Sequence, residues 1–136
     1  MNNIHRGVSL FLLSLAVLTL SGCAKVASEK TGTDYLKIYN AHNHRIFTAT
    51  GRRSKTLVSH IPQTYNNISN KKIPQSANPS YRYVMHKEKH DITITMQVYA
   101  NYRYAKLSGV PVIGGGTVKL TSRNYQKLNH PQNFID

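Results

Sequence analysis

The chain has 136 residues, of which 18 are Lys or Arg and 5 are Asp or Glu, so its formal net charge is +13 at pH 7. A chain of this length forms one domain around a single core, and its one cysteine excludes an intrachain disulfide. The excess of positive charge favours anionic neighbours, such as phospholipid headgroups, phosphate-bearing polymers or nucleic acid.

Residues 1–22 have the pattern of an export signal. Residues 1–6 carry Arg6 and no acid, and an apolar run follows at residues 8–20. A helix of that length would reach about 20 Å, which is shorter than the ~30 Å hydrocarbon core of a bilayer. A short apolar run between a basic start and small residues predicts an export signal rather than a permanent membrane span.

The tetrapeptide Leu20-Ser21-Gly22-Cys23 resembles the lipobox of bacterial lipoproteins. The resemblance implies that a diacylglyceryl group is attached to the Cys23 sulfur and that the signal peptide, residues 1–22, is cleaved after Gly22. Residues 23–33 would then be the lipidated cysteine and a flexible tether. The resemblance covers only the first part of the chain and implies nothing about the fold that follows.

Such a protein is expected on the extracytoplasmic face of the cell membrane, held in membrane lipid through Cys23. Two acyl chains hold a protein stably on a bilayer, whereas one does not. Ala24, rather than Asp, follows the cysteine, so in a cell with two membranes the lipoprotein class implies transport to the outer membrane. Export disfavours intracellular nucleic acid as a partner. The alternative is cleavage elsewhere, or an uncleaved anchor beside an unmodified Cys23.

Residues 34–136 are predicted to form a single β-rich extracytoplasmic domain. Alternating apolar residues predict a hairpin over residues 34–50, and its turn falls in the Asn- and His-rich residues 40–44. A second turn is expected at residues 51–55, followed by a short strand at residues 56–61.

The clearest strand signal lies at residues 91–100, where apolar and polar residues alternate strictly. This alternation is typical of a half-buried strand in an antiparallel sheet. The remaining predicted elements are a long loop at 62–79, a strand at 80–86, a turn at 87–90, strands at 102–107 and 110–113, a glycine break at 114–116, a strand at 117–121, a helix at 123–128 capped by Ser122, and a polar tail. About seven short strands with one short C-terminal helix indicate an all-β fold, either a small antiparallel β-sandwich or a partly open barrel.

The tripeptide Tyr-Arg-Tyr occurs twice, at residues 81–83 and 102–104. Because residues i and i+2 of a strand share a face, each copy places two tyrosines on one side and an arginine on the other. The alternation also places Tyr99 on the polar side of its strand. Residues 81–83 are undecided, because Met85 shares the face of their tyrosines while Val84 shares that of the arginine.

Two predicted strands carry tyrosine and lysine together on a polar face, and these residues are the candidate ligand-binding residues. They are Tyr35, Lys37, Tyr39, Tyr102, Tyr104 and Lys106. Tyrosine combines a flat apolar ring with a hydroxyl group, which suits sugar rings and semi-polar surfaces. The alternative is a purely structural role, in which each cross-strand tyrosine pair stabilises the sheet by about 0.2–1 kcal/mol.

Catalytic residue patterns are not found. Glu88 and Asp91 border one turn rather than facing each other across a cleft, so paired-carboxylate chemistry lacks its parts. The chain has no Gly-x-Ser-x-Gly sequence. The sequence therefore predicts a protein that is not an enzyme and needs no cofactor.

Histidine pairs leave a metal-binding alternative open. His42 and His44 could share a face, and His86 and His90 flank a predicted turn. Zinc or copper accepts imidazole ligands, but no thiol or carboxylate cluster completes either set. We therefore expect no specific metal site.

The leading hypothesis is a lipid-anchored binding module. Its Tyr/Lys/Arg sheet face, assisted by basic turns at residues 52–55 and 71–72, would contact an anionic envelope component such as a wall polymer or lipid headgroups. The alternative is an accessory lipoprotein that docks onto a membrane protein complex, such as a secretion, conjugation or exclusion system. An edge strand or the loop at residues 62–79 would then make the contact.

Overall fold

Residues 33–61 and 68–136 are described by the computed structural model. The predicted signal peptide, the Gly22 cleavage position, the Cys23 lipidation position and most of the tether lie outside the described residues, as do residues 62–67 of the predicted loop. Within the two described segments, no helix is long and apolar enough to cross a bilayer.

Within the described residues, seven strands form one antiparallel sheet in the order β2-β1-β4-β5-β6-β7-β3. The strands are β1 (Tyr35–Asn40), β2 (Arg45–Thr50), β3 (Ile68–Ser69), β4 (Tyr81–Lys87), β5 (Ile92–Val98), β6 (Tyr104–Val110) and β7 (Gly114–Lys119). The helices are α1 (Gly51–His60), α2 (Ser122–Asn129) and α3 (Gln132–Ile135). The prediction of an all-β fold with about seven short strands is confirmed. The sheet does not close, and its second layer is made of short helices.

Both hairpins predicted in the first hundred residues are present. The β1–β2 turn is built around Asn40, whose Oδ1 accepts hydrogen bonds from the backbone N–H groups of His42 and His44, each at 3.0 Å. A 3-10 turn at Glu88–His90 joins β4 to β5. Asparagine and other short polar residues favour such turns because their side chains bond to nearby backbone groups.

One face of the sheet, which we call the core face, carries the apolar residues of the strands. Its fully or almost fully buried members are Leu36, Ile38, Ala49, Tyr83, Met85, Met96, Val98, Ala105, Leu107, Val110 and Val118. The helices cover this face with Leu57, Ile61 and Leu128, which are 8%, 2% and 0% exposed. Because each buried aliphatic side chain contributes about 1.5–3 kcal/mol, this layer contact holds sheet and helices together.

Helix α1 occupies the segment for which a turn and a strand were predicted, so that prediction is wrong. Ser54, Leu57, Val58 and Ile61 recur at the spacing of one helical face, and three of them are buried. The Ser54 hydroxyl donates to the Gly51 carbonyl at 2.7 Å, which allows this polar residue to be buried. Burial against β1 and β2 overrides the weak strand preference of the β-branched residues.

The β6–β7 connection also differs from the prediction. Residues 110–113 were expected to be a strand followed by a glycine break, but β6 continues to Val110 and residues 111–113 form the turn. The three glycines begin β7, and Gly115 lies so close to β6 that an added Cβ would be 2.5 Å from the Leu107 carbonyl oxygen. The glycines are therefore needed for close approach of two strands as well as for a turn.

The C-terminal helix is confirmed, with two corrections. Its N-cap is Thr121 rather than Ser122, because the Thr121 side chain accepts the hydrogen bond from the Asn124 backbone N–H at 3.2 Å. The tail that was predicted to be polar forms α3, whose Phe134 ring stacks on Tyr83 with 6.2 Å between centroids. This contact brings the chain end back onto the core face.

Candidate functional site

The opposite face of the sheet carries polar, aromatic and basic side chains, and we call it the open face. Strand register assigns to it Tyr35, Lys37 and Tyr39 of β1, Arg82, Val84 and His86 of β4, Thr93, Thr95 and Gln97 of β5, Tyr104, Lys106 and Ser108 of β6, and Thr117 and Lys119 of β7. These positions alternate with the buried residues of the core face, as a period of two requires.

The two groups of predicted ligand-binding residues lie on this same face. One continuous row of opposed residues crosses five strands: Tyr39, Arg82, Gln97, Lys106 and Thr117. With neighbouring strands about 4.8 Å apart, the β1 and β6 groups are separated by about 14 Å. The register therefore joins them into one surface rather than one pocket.

The β1 part of the open face is ordered by ring and cation contacts. The Lys37 Nζ atom lies 4.6 Å from the centroid of the Tyr35 ring, and Tyr35 stacks on His86 with 4.9 Å between centroids. The Arg82 guanidinium lies 4.5 Å from the centroid of the Tyr39 ring. Cations over aromatic faces are held by the ring quadrupole, so these side chains have a preferred position before any ligand binds.

Arg82 is the most constrained cation of this surface. Its Nη2 group donates to the side-chain oxygen of Asn43 in the β1–β2 turn. Its Nε atom is buried and has no hydrogen-bond partner among the described residues. A buried donor without a partner costs about 1–3 kcal/mol, so an acceptor that reaches this atom would be bound favourably.

The β6 part of the open face consists of one tyrosine and the lysines nearest to it in the sheet and the preceding loop. Lys71, from the segment after β3, places its Nζ atom 5.1 Å from the centroid of the Tyr104 ring. Lys119 of β7 pairs directly with Tyr104, and the exposed Lys106 lies two residues further along β6. One ammonium group therefore lies over this half-buried ring, and two more lysines occupy neighbouring positions of the same face.

Tyr102 and Tyr99 depart from the prediction. Tyr102 precedes β6 instead of belonging to it, and its ring meets Tyr99 edge to face with 6.1 Å between centroids. Tyr99 was expected on the polar side but is only 4% exposed, and burial raises the pKa of its hydroxyl. Tyr102 thus covers Tyr99 beside the open face, while Tyr104 and Lys106 lie on the strand as predicted.

The two Tyr-Arg-Tyr copies face in opposite directions. In residues 81–83 the arginine lies on the open face, whereas Tyr83 is fully buried and donates to the Leu128 carbonyl at 2.7 Å. Burial, and secondarily the neighbouring Tyr81, raises the pKa of Tyr83 well above its ordinary value. In residues 102–104 it is the second tyrosine that lies on the open face. The repeated tripeptide is therefore not a repeated site.

Acidic groups are absent from the open face of the described residues. Asp34 precedes β1, where its carboxylate accepts the Glu88 backbone N–H at 2.9 Å and lies 3.7 Å from the Lys55 Nζ atom. Glu88 and Asp91 belong to the β4–β5 turn, and Asp136 is terminal. Among the described residues, no carboxylate therefore lies on the open face beside Arg82, Lys106 and Lys119, and such a surface attracts anions.

Two grooves lie at one end of the sheet, away from the row described above. A mixed polar groove of about 660 Å³ runs between α1 and the β4–β5 turn and includes Asp34, Lys55 and His86. A smaller groove of about 440 Å³ is mostly apolar.

In the part of the chain that the structure describes, no group of three or more His, Cys, Asp or Glu side chains could hold a metal ion. His42 and His44 lie with 6.3 Å between ring centroids.

Several open-face residues with charged, imidazole or amide side chains were not among the ligand-binding residues predicted from the sequence. They are Arg82, His86, Gln97 and Lys119. The alternation of residues 91–100 already placed Gln97 on a polar side, but no sequence signal showed which strands are its neighbours. For Arg82 the pattern was ambiguous, because its face also carries Val84.

No family model matches this chain, and neither a curated protein nor a solved structure shows significant similarity to it. The site is therefore interpreted from its own geometry and charge.

Proposed function

We propose that this protein is a lipid-anchored extracytoplasmic binding module whose open face holds an anionic polymer of the cell envelope. Cys23 would carry the lipid. The observation that supports the polymer-binding role is the row of cations and tyrosines across the open face, on which the described residues place no carboxylate. Such a surface attracts anionic chains along its whole width rather than at one point.

The chemistry of the open face suits a phosphate-bearing polymer with a polyol or sugar backbone. Lysine and arginine bind phosphate oxygens through charge-assisted hydrogen bonds. Half-buried rings such as Tyr39 and Tyr104 offer flat apolar surface for the carbon backbone between phosphates. Because the cations over these rings are already positioned, less side-chain entropy is lost on binding.

Polymer binding is tested with residues 23–136 carrying Cys23→Ser, so that no bilayer or acyl chain is involved. The probe is polyglycerol phosphate, and uncharged dextran is the control. We expect binding at low salt that weakens as salt rises, because exposed charges are screened. Lys106→Gln/Lys119→Gln should weaken it about tenfold, at about 0.7 kcal/mol for each charge removed.

Lys89→Gln/Arg123→Gln is the matched control, because it removes the same charge from exposed residues outside the open face. Circular dichroism confirms that each variant is folded. Equal loss of affinity in the two double variants would mean that net charge alone attracts the polymer. Absence of binding at low salt would contradict the proposed function itself.

Docking onto a membrane protein complex is the second proposal, and one observation favours it. Strand β3 pairs only with Thr117 and Val118 of β7, so it leaves the outer edge of residues 114–116 without a strand partner among the described residues. An unpaired edge can accept a strand from another protein. A single protein that co-purifies with the lipidated chain at high salt, and is retained by Lys106→Gln/Lys119→Gln, would favour docking over polymer binding.

A further inference from the structure

The end of the sheet at which the described chain begins also carries two turns, and we call it the anchor end. It comprises Asp34, the turn at Glu88–His90 and the turn at residues 111–113. Asp34 accepts from Gly51 N–H at 2.8 Å, and its side chain accepts from Glu88 N–H. Strand β5 starts at this end and β6 finishes here, because Thr95 pairs with Ser108 in antiparallel register. The chain therefore comes from Cys23 to the same end that presents both turns.

The turn at residues 111–113 exposes apolar side chains to solvent, and this exposure does not stabilise the fold. Val112 is fully exposed and has a φ of 72°, a conformation that β-branched residues rarely adopt. Ile113 is 43% exposed. Asparagine or glycine would suit this position better in a turn that only faces water. An exposed valine in an unfavourable conformation indicates a contact outside the chain.

An apolar groove of about 440 Å³ continues from this tip along the core-face side of the sheet. Its lining consists of Ile68, Ile92, Ile94, Val110, Pro111 and Ile113, with Lys87 and His90 at the rim. Ile68 is 53% exposed. Tip and groove together form one apolar surface at the anchor end. Lys87 can extend its ammonium group from this surface while its aliphatic stem stays on it.

We propose that the tip at residues 111–113 inserts into the interfacial region of the bilayer that holds the Cys23 lipid. The proposal rests on the lipid anchor of the proposed function. Only ten residues lie between Cys23 and Asp34, and eleven steps of at most about 3.6 Å each keep the anchor end within about 40 Å of the membrane. Lys87 and Lys89 are balanced by Glu88 and Asp91, so the contact is apolar rather than electrostatic.

This orientation determines what the open face can reach. With the anchor end on the bilayer, the strands run away from the membrane surface. The open face is then directed sideways, parallel to the membrane plane. The cations of Arg82, Lys106 and Lys119 would then meet polymers that fill the space beside the protein, not the headgroups beneath it. Tip insertion and polymer binding are therefore separate contacts, and only polymer binding should weaken as the salt concentration rises.

The chain contains no tryptophan, so one introduced tryptophan reports on its own surroundings. Val112→Trp and, as a matched control at the opposite end of the sheet, His42→Trp are made in the lipidated chain and reconstituted into vesicles of phosphatidylethanolamine and phosphatidylglycerol. We expect a blue-shifted emission for Val112→Trp, with quenching by phospholipids brominated on their acyl chains, unchanged in high salt. His42→Trp should show neither effect. An unshifted Val112→Trp, or equal shifts in both variants, overturns the proposal.

A second pair of variants separates insertion from a structural role. Val112→Asn suits the left-handed turn and should raise the melting temperature, yet together with Ile113→Asn it should weaken association of the Cys23→Ser chain with the same vesicles by at least about tenfold. Lower stability with unchanged association would contradict insertion. The proposed function is tested separately, by mass spectrometry of Cys23 and by polymer binding without a bilayer. The proposed function and tip insertion can therefore be contradicted independently of each other.

Discussion

Tyr83 and Tyr104 each end a Tyr-Arg-Tyr tripeptide, but their surroundings differ completely. Tyr83 is enclosed between the sheet and Phe134, and its hydroxyl donates a hydrogen bond to the Leu128 carbonyl. Tyr104 lies half-buried under Lys71 on the open face. A buried tyrosine must stay neutral, because an anion in the core loses its hydration without gaining a countercharge.

Tyr83→Phe should lower the free energy of unfolding at pH 7 by about 1–2 kcal/mol, because the Leu128 carbonyl loses its donor. The raised pKa of Tyr83 means that the folded state keeps a proton which the unfolded state releases above pH 10.0. The contribution of Tyr83 to the free energy of unfolding is therefore fully present below that pH. It decreases as the pH rises further, by up to about 1.4 kcal/mol for each pH unit. In Tyr83→Phe this part of the alkaline decrease in stability should be absent. Urea titrations between neutral and alkaline pH measure both effects.

Tyr104→Phe is the control for this prediction and should change the free energy of unfolding at pH 7 by less than about 0.5 kcal/mol. If Tyr83→Phe showed the same alkaline decline as the native sequence, burial of the hydroxyl could not be its cause.

At the scale of one element, the β6–β7 hairpin depends on glycines for two different reasons. Gly109 interrupts the pairing between Ser108 and Val110 as a bulge and has a φ of 74°. Gly114 follows the turn with a φ of 70°. An added Cβ at Gly109 would lie 2.1 Å from the Thr93 carbonyl oxygen of β5, whereas one at Gly114 would have no neighbour within 4 Å.

These two glycines make a matched pair for substitution by alanine. Gly114→Ala should lower the free energy of unfolding by about 1–2 kcal/mol, the cost of a left-handed conformation for a residue with a Cβ. Gly109→Ala has the same conformational cost and also introduces a clash with β5. It should therefore lower the free energy of unfolding by about 1–3 kcal/mol more than Gly114→Ala does. Equal effects in thermal or chemical unfolding would contradict the close approach of Gly109 to β5.

At the scale of the whole folded domain, residues 33–136, the sheet has two unlike faces. Helices cover the core face, and the open face carries Arg82, Lys106 and Lys119, beside which the described residues place no carboxylate. Leu128 is central to the covered side: it is fully buried, and its carbonyl binds Tyr83 of β4. Sheet and helices are therefore expected to unfold together.

Leu128→Ala should lower the free energy of unfolding by about 2–5 kcal/mol, since it removes buried volume between the two layers. Ile113→Ala, at the exposed tip, should change it by less than about 0.5 kcal/mol. Far-UV and near-UV circular dichroism should follow one transition in both proteins. Loss of helix signal before sheet signal in Leu128→Ala would show instead that the helices are a separate, weakly attached layer.

Much of the sheet could be predicted, because alternation of apolar and polar residues has the period of a strand whatever lies beside it. The first hairpin and β5 are examples, and so are the opposite faces of Leu36 and Lys37. Helix α1 could not be predicted in the same way, because its ten residues contain β-branched residues and a glycine, and only burial of Leu57 and Ile61 against the sheet makes the helix favourable.

The sequence by itself determined the strands, their polar and apolar sides, the excess of positive charge and the placement of Tyr39 and Lys106 on polar strand faces. Only the tertiary structure decided that these two residues belong to one surface, that Arg82 lies between them and that Tyr83 points inward. The physical reason is that strand order, register and the covering helix layer depend on contacts between residues distant in the chain. The local pattern determines which side of a strand is polar and which is apolar. The neighbouring strands and helices determine what each side contacts.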